Sequence, residues 1–292
     1  MRSWADWNPA AGFFHNSTKD VRFADLDTME RLGREKARAG GMPNPVKRYA
    51  GAPVSPLPDI QRTGEFPSVL LERRTWRRFA RRRVDLAAFS TLVGLTGGVQ
   101  SWLMASHGEK VAIKTSPSGG ARHAIELYVL ALRVEGLRRG LYHYAAASHA
   151  LELMSSKVTP QTVERYLPTQ WWFKSASAIV FFAAVFPREL WRYTHPRAYR
   201  AVLIEAGHLC QTFCLTATWL GLAPFSTMAL ADSRIEKDLD LDGVTESVLY
   251  AAGVGTRPPG VQWTPPQTLG RPSVVTPNGI RKFPGRLPRM RH

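Results

Sequence analysis

Apolar residues recur at three-and-four spacing through residues 197–222, at Tyr199, Val202, Leu203, Ala206, Leu209, Cys210, Phe213, Cys214, Ala217 and Leu220. This period predicts one long helix with a buried face, stopped by Gly221 with Pro224 close behind. The opposite face carries Arg197, Arg200, Glu205, His208, Gln211 and Thr212. A helix so divided belongs at the centre of a domain or across a subunit interface. Elsewhere the period shortens. Residues 125–132 are rich in strand formers, and residues 141–144, after a turn at 136–140, form the expected antiparallel partner. Residues 178–185 are apolar throughout, a strand covered on both faces, and residues 246–254 are the last core strand. Shorter helices are expected from residue 68 into Phe79, at 85–93 with Asp85 as cap, at 159–166 and from 233 to 239. An antiparallel hairpin combined with long buried helices gives an α+β class.

The chain has 292 residues, 44% of them hydrophobic, enough for a substantial core in one or two domains. We divide it into an N-terminal extension (1–65), a core domain (66–257) and a Pro/Arg-rich tail (258–292). The extension opens with Trp4, Trp7, Phe13, Phe14 and His15, which are expected to pack on a neighbour. A charged helix follows at 27–39, then a Pro/Gly-rich stretch that forbids regular helix. The longest apolar run, residues 176–186, is about half the length a bilayer requires, so no membrane association is expected. No signal-peptide pattern opens the chain, and the only cysteines, Cys210 and Cys214, lie one turn apart on the same helix. Without a disulfide framework the expected location is the cytoplasm.

The net charge of +16 changes the picture further. Seven arginines fall within residues 73–83, and Arg281, Lys282, Arg286, Arg289 and Arg291 form a second group. Such clusters can neutralise the phosphates of a nucleic acid, hold one phosphorylated cofactor, or be solvated.

Chemistry has three candidate places. Arg73, Arg74, Thr75 and Arg77 can clamp a terminal phosphate, or form a basic surface helix. Pro117, Ser118 and Gly119, within Ser116-Pro-Ser-Gly-Gly120, let backbone amides approach a planar ring or an anion, and Ser118 can donate to it. The spacing matches neither a dinucleotide fingerprint nor a P-loop. The third place is Arg192, Tyr193, His195, Arg197, Tyr199 and Arg200 with Glu205, His208 and Gln211. His208 is a general acid or base, or a structural hydrogen-bonding group. His208 and Cys210 point to different sides of the helix and lack further ligands nearby, so no metal is expected.

The ordered set Arg-Arg-Thr-Trp-Arg-Arg-Phe79, Pro117-Ser-Gly-Gly-Ala121 leading to Glu126-Leu-Tyr128, Arg197-Ala-Tyr-Arg through Glu205-Ala-Gly-His208 with Gln211, then Gly221-Leu222 and Val254-Gly255 resembles the SagB-type dehydrogenases of the nitroreductase-like FMN flavoproteins. The likeness covers about residues 66–257. It implies a three-layer α+β fold around a mixed sheet, an intertwined homodimer, and FMN in a groove between subunits. By the same resemblance, Arg73, Arg74, Thr75 and Arg77 hold the flavin phosphate and pyrimidine edge. Pro117, Ser118 and Gly119 lie along the cofactor, with Gln211, and a backbone amide within Phe225, Ser226 and Thr227 stands at flavin N5. Azoline dehydrogenases of the family carry Leu-x-Lys-Tyr where this chain has Leu190-Trp-Arg192-Tyr193. Arginine is a poor base, so Tyr193 beside Arg192 is the expected proton acceptor, with His195 in reserve. The implied activity is a two-electron dehydrogenation of an azoline-type or related small heterocyclic, amino-acid-derived or peptide-derived substrate in natural-product biosynthesis. The alternatives are an NAD(P)H-dependent nitroreductase or ene-type reductase on the same fold, and a basic nucleic-acid-binding protein without turnover. The flavoenzyme reading expects no specific nucleic-acid partner.

Overall fold

Three strands of largely apolar sequence set the middle layer. In the computed structural model, β3 (Ile125–Ala131), β6 (Ala178–Val185) and β8 (Glu246–Thr256) lie side by side, flanked by β4 (Gly140–Ala145), β5 (Ala150–Ser155) and β7 (Leu222–Thr227). The order is β5-β4-β3-β6-β8-β7, with β1 (Ser101–Met104) and β2 (Lys110–Ile113) forming a separate hairpin. The structure describes residues 7–39, 60–105 and 110–260, together with 45, 47, 49, 51–53, 55–58 and 108. The tail beyond residue 260, with its arginine group, lies outside them, as does Trp4.

Among the described residues every pairing in the sheets is antiparallel, so the expected mixed sheet is corrected. The sheet's side chains alternate between two cores, as the two-residue period of a strand requires. On one face Leu127, Val129, Val180, Phe182 and Val254 pack with α1 (Pro9–Ser17), α4 (Leu86–Gly97) and α7 (Arg197–Trp219). On the other, Leu130, Phe181 and Phe225 pack with α5 (Pro160–Tyr166), α8 (Asp232–Asp238) and a 3-10 turn holding Phe173. The result is the three-layer α+β arrangement. Among the described residues, those within 7–39 and 73–260 make one unit and those within 45–72 belong to a second. In the second, α3 (Glu65–Glu72) is a two-turn helix whose Ser68 donates to the Gly64 carbonyl at 2.7 Å.

Three local departures have physical causes. The expected helix from 68 into Phe79 stops at Glu72, and residues 73–79 run extended, because Trp76 N donates to the Pro224 carbonyl and Ala80 N to that of Thr256. Trp7 and His15 pack within their own chain, while Phe13 and Phe14 of the same extension are exposed. Trp7 donates to the Val244 carbonyl, its ring lies 4.5 Å from that of Phe186, and His15 Nδ1 shares a 3.0 Å hydrogen bond with the Tyr199 hydroxyl. Finally, α7 ends where Gly221 takes φ +70°, and Arg257 donates to the Leu222 and Thr218 carbonyls, a cation at a helix C-terminus.

Candidate active site

The long helix α7 frames the site. Three of its polar residues hold the loop that precedes β3. Ser116 and Thr212 share a hydroxyl hydrogen bond of 2.8 Å, His208 Nδ1 donates to the Pro117 carbonyl at 3.1 Å, and the Ser118 hydroxyl donates to Glu205 Oε2 at 2.6 Å. Residues 205, 208 and 212 fall on one helical stripe, so a single face grips successive residues of the loop. Glu205 also accepts from Ile125 N, and Ser118 Oγ from His123 N. Glu205, placed by sequence on the polar face, is therefore buried. Its burial raises its pKa, against the lowering effect of the bond from Ser118. The Ser118 hydroxyl is committed to protein partners, and what the loop offers outward is backbone. It turns through Gly120 (φ +54°), Ala121 (φ +53°) and His123 (φ +45°), left-handed conformations in which only the glycine is free of side-chain strain.

The short helix α6 (Phe186–Leu190) and the turn after it close over this loop. A Cβ on Gly120 would stand 2.7 Å from Arg192 Cδ and 3.0 Å from the Tyr193 hydroxyl. The Arg192 guanidinium lies 5.7 Å from the Tyr193 ring centre, and the His195 ring 6.2 Å from it. Arg192 and the proton acceptor Tyr193 thus meet at Gly120, with His195 beside the tyrosine ring. An open depression of about 530 Å³ adjoins them, lined by His195, Pro196, Arg197 and Arg200.

Of the expected phosphate clamp, Arg73 comes near the same helix. The charge of Arg73 is felt by Cys210 and Cys214 of α7, and Ser226 of β7 lies there too, accepting from the Tyr250 hydroxyl at 3.2 Å. Among the described residues neither Arg73 nor Arg77 has an acidic partner, and the exposed Gln211 amide between clamp and loop makes no hydrogen bond. Nothing stands within 4 Å of the Cβ position of Gly207, so this stretch of α7 is open. Two unpaired guanidiniums, a free amide and an open helix face next to a glycine loop suit a phosphorylated planar cofactor. Thr75 is exposed beside Arg74. Phe225 turns away: its ring stacks on Phe173 at 3.6 Å and fills the opposite core, so only its backbone, on the edge strand β7, faces this side. Thr227 accepts from Ala229 N.

Two residues of the site were not legible in the sequence. Arg122 donates from Nε to the Gly120 carbonyl at 3.1 Å, and Glu189 of α6 lies against Gly119. The adjoining glycines were the signal for both, since a side chain must come close where a Cβ is left out. Among the described residues no three His, Cys, Asp or Glu are grouped to hold a metal ion, and no helix is long and apolar enough to cross a membrane.

The model of the nitroreductase family matches residues 70–256, which spans the sheet, α7 and every residue of the site just described. The chain belongs to the nitroreductase family. It is 35% identical to the trifolitoxin-processing protein TfxB of Rhizobium leguminosarum bv. trifolii over 147 residues, 47% of this chain and 38% of that one. It is 32% identical to the microcin B17-processing protein McbC of Escherichia coli over 146 residues, 48% of this chain and 53% of that one. The chain thus spans about half or less of the length of these curated relatives. A chain in the structure of the E. coli microcin synthetase McbBCD complex with truncated pro-MccB17 bound superposes over 88% of this chain and 98% of its own length, with TM-score 0.57 and 20% identity. That likeness concerns the fold. The two processing proteins bear out the SagB-type resemblance within the nitroreductase family.

Proposed function

We propose that this protein binds FMN and catalyses a two-electron dehydrogenation of a small heterocycle within a peptide or amino-acid-derived substrate, in the maturation of a natural product. The observation that carries this reading is the seating of the Tyr193 hydroxyl and the Arg192 guanidinium on Gly120, in a loop pinned to the helix that also carries Gln211 and faces Arg73. The names of the two processing relatives support a peptide-derived substrate. Bound FMN supplies the two-electron acceptor. The chain's own residues do the rest. Arg73, Arg74, Thr75 and Arg77 would hold the phosphate, the backbone of Pro117, Ser118 and Gly119 and the edge of Phe225–Thr227 would lie along the ring, and Gln211 would donate to its polar edge. Tyr193 would take the substrate proton at its phenolic oxygen. Arg192 remains a cation, so it orients and balances charge instead of abstracting a proton. A homodimer fits the exposed Leu203, Ile204 and Trp219 on the outer side of α7, and the site chemistry fits a cytoplasmic enzyme.

The test compares Tyr193→Phe with His195→Ala, each first checked for full FMN content. Loss of substrate-driven flavin bleaching in the tyrosine variant alone supports the scheme, and full bleaching by Tyr193→Phe refutes it. Bleaching by NADPH in stopped flow, without peptide substrate, would instead identify a nitroreductase or ene-type reductase.

A further inference from the structure

Glu189 is fully buried, and neither of its carboxyl oxygens has a hydrogen-bond partner among the described residues. It points at the loop: a Cβ on Gly119 would stand 2.5 Å from Oε1. The same residue holds the turn through its backbone, its carbonyl accepting from Arg192 N at 3.2 Å and Tyr193 N at 3.0 Å. Its side chain therefore rests on one glycine while the two residues it anchors rest on the next. We propose that Glu189 is a positioning residue: its carboxyl, seated on Gly119, fixes the turn that holds Arg192 and Tyr193 against Gly120. This rests on the reading of Tyr193 given above.

The charges around Glu189 say which form does the seating. Glu205 faces it from α7, itself flanked by Lys114, and Arg122 faces it from the loop. On α6, Arg188 is turned away to Glu126 and to the His123 carbonyl. Burial first, and the Glu205 carboxylate second, push the Glu189 pKa up to about 7, with Arg122 opposing. A neutral acid without a partner is tolerable here; an unpaired carboxylate is far more costly. Once ionised, Glu189 attracts Arg122, the cation that opposes the shift. Arg122 donates to the Gly120 carbonyl and lies 5.1 Å from the Trp191 ring centre. Moving it to Glu189 would release Gly120 and the Trp191–Tyr193 turn together. The group that seats the turn when neutral thus loosens it when charged.

The experiment titrates the full-length, FMN-loaded protein from about pH 5.5 to about pH 8.5, bracketing the range in which a raised glutamate ionises. Two readouts need no turnover: the infrared carbonyl band of a protonated carboxyl, and the Trp191 emission, taken as the difference from Trp191→Phe. Wild type should lose the band and change its emission with one midpoint, and Glu189→Gln should show neither transition. Gly119→Ala, whose methyl would collide with Oε1, removes the seat from the other side and should also abolish the shared midpoint. In substrate-driven flavin reduction, Glu189→Ala should slow the rate about 10- to 100-fold through misplacement of Tyr193, and Glu189→Gln should restore it and flatten the alkaline fall. Absence of any transition in wild type, its survival in Glu189→Gln, or equal rates in Glu189→Ala and wild type each overturns the proposal. These outcomes are separate from failure of the functional reading, which shows as full activity of Tyr193→Phe while the two spectroscopic transitions stand.

Discussion

Replacing Glu205 by alanine tests whether α7 truly holds the loop. The carboxylate is 2% exposed and makes two measured bonds, from the Ser118 hydroxyl at 2.6 Å and from Ile125 N at 3.2 Å. The first is charge-assisted, and the second satisfies a buried backbone donor at the start of a core strand. Losing a hydrogen bond to a charged group costs about 1.5–3 kcal/mol, and leaving a buried N–H unsatisfied about 1–3 kcal/mol. Against this stands relief: burial makes the carboxylate itself unfavourable, so its removal returns part of that desolvation. The balance is a loss of about 2–4 kcal/mol, of which Glu205→Gln should recover part through its one acceptor oxygen.

The pH dependence has a definite sign. The folded-state pKa of Glu205 is raised, chiefly by burial. Its stabilising contribution is therefore fully present below the unfolded-state value and is lost as pH rises through the folded one. The cost of Glu205→Gln relative to wild type should thus shrink from acid to neutral pH. Denaturant unfolding at two pH values, followed by far-UV circular dichroism with unchanged m-value, measures it. If Glu205→Ala unfolds within about 0.5 kcal/mol of wild type, the carboxylate does not pin the loop and the geometric reading of the site fails.

Three further outcomes are expected. Purified protein should be yellow, and Arg77→Ala should weaken FMN retention by about 1.5–3 kcal/mol, roughly 10- to 100-fold, read by flavin fluorescence released on ultrafiltration. Colourless protein that takes up no added FMN would refute the cofactor. Phe225→Ala should cost about 3–5 kcal/mol in chemical denaturation, because it empties the stack on Phe173 and the space over Gly253 that its ring now fills. Light scattering should give a dimer, since Leu203 and Ile204 leave an apolar strip on α7; a stable species at the 32.6 kDa monomer mass would contradict it.

The helix at 197–222 was legible because its burial follows a clean period, and the strands at 125–132, 178–185 and 246–254 because their largely apolar runs are buried on both faces. The hairpin at residues 101–113 was missed: its strands are four residues each and expose Trp102, Leu103 and Met104, so no one-sided pattern marks them. The segment 73–79 carries good helix formers, and only its pairing with Pro224 and Thr256, far along the chain, makes it extended. At the site, the ordered motifs drew attention to the loop, the Arg192–Tyr193 turn and α7, which the fold sets side by side, but said nothing of the orientation of their side chains. Glu205 and Ser118 both read as outward-facing polar groups. They hydrogen-bond to each other, which no spacing rule reveals, because the partner lies 87 residues away.

The arrangement makes loop and clamp mechanically dependent on one helix. Along α7, Glu205, His208 and Thr212 hold the loop while Cys210 and Cys214, on the adjoining stripe, face Arg73 and Ser226. A rotation of the helix by one residue, about 100°, would carry all three loop anchors off their partners at once. What prevents that rotation is packing: Val202, Ala206, Leu209, Phe213 and Ala217 are buried in the core against the sheet, and Tyr199 is braced by Trp7, His15 and Phe186. The N-terminal segment thus braces α7 from outside the loop, through Trp7 and His15. Trp7→Ala would remove a buried aromatic at about 3–5 kcal/mol and loosen the α6–α7 junction that carries Tyr193. Its effect should appear in flavin reduction as well as in stability, and stability loss with an unchanged reduction rate at low temperature would show that the two are not coupled.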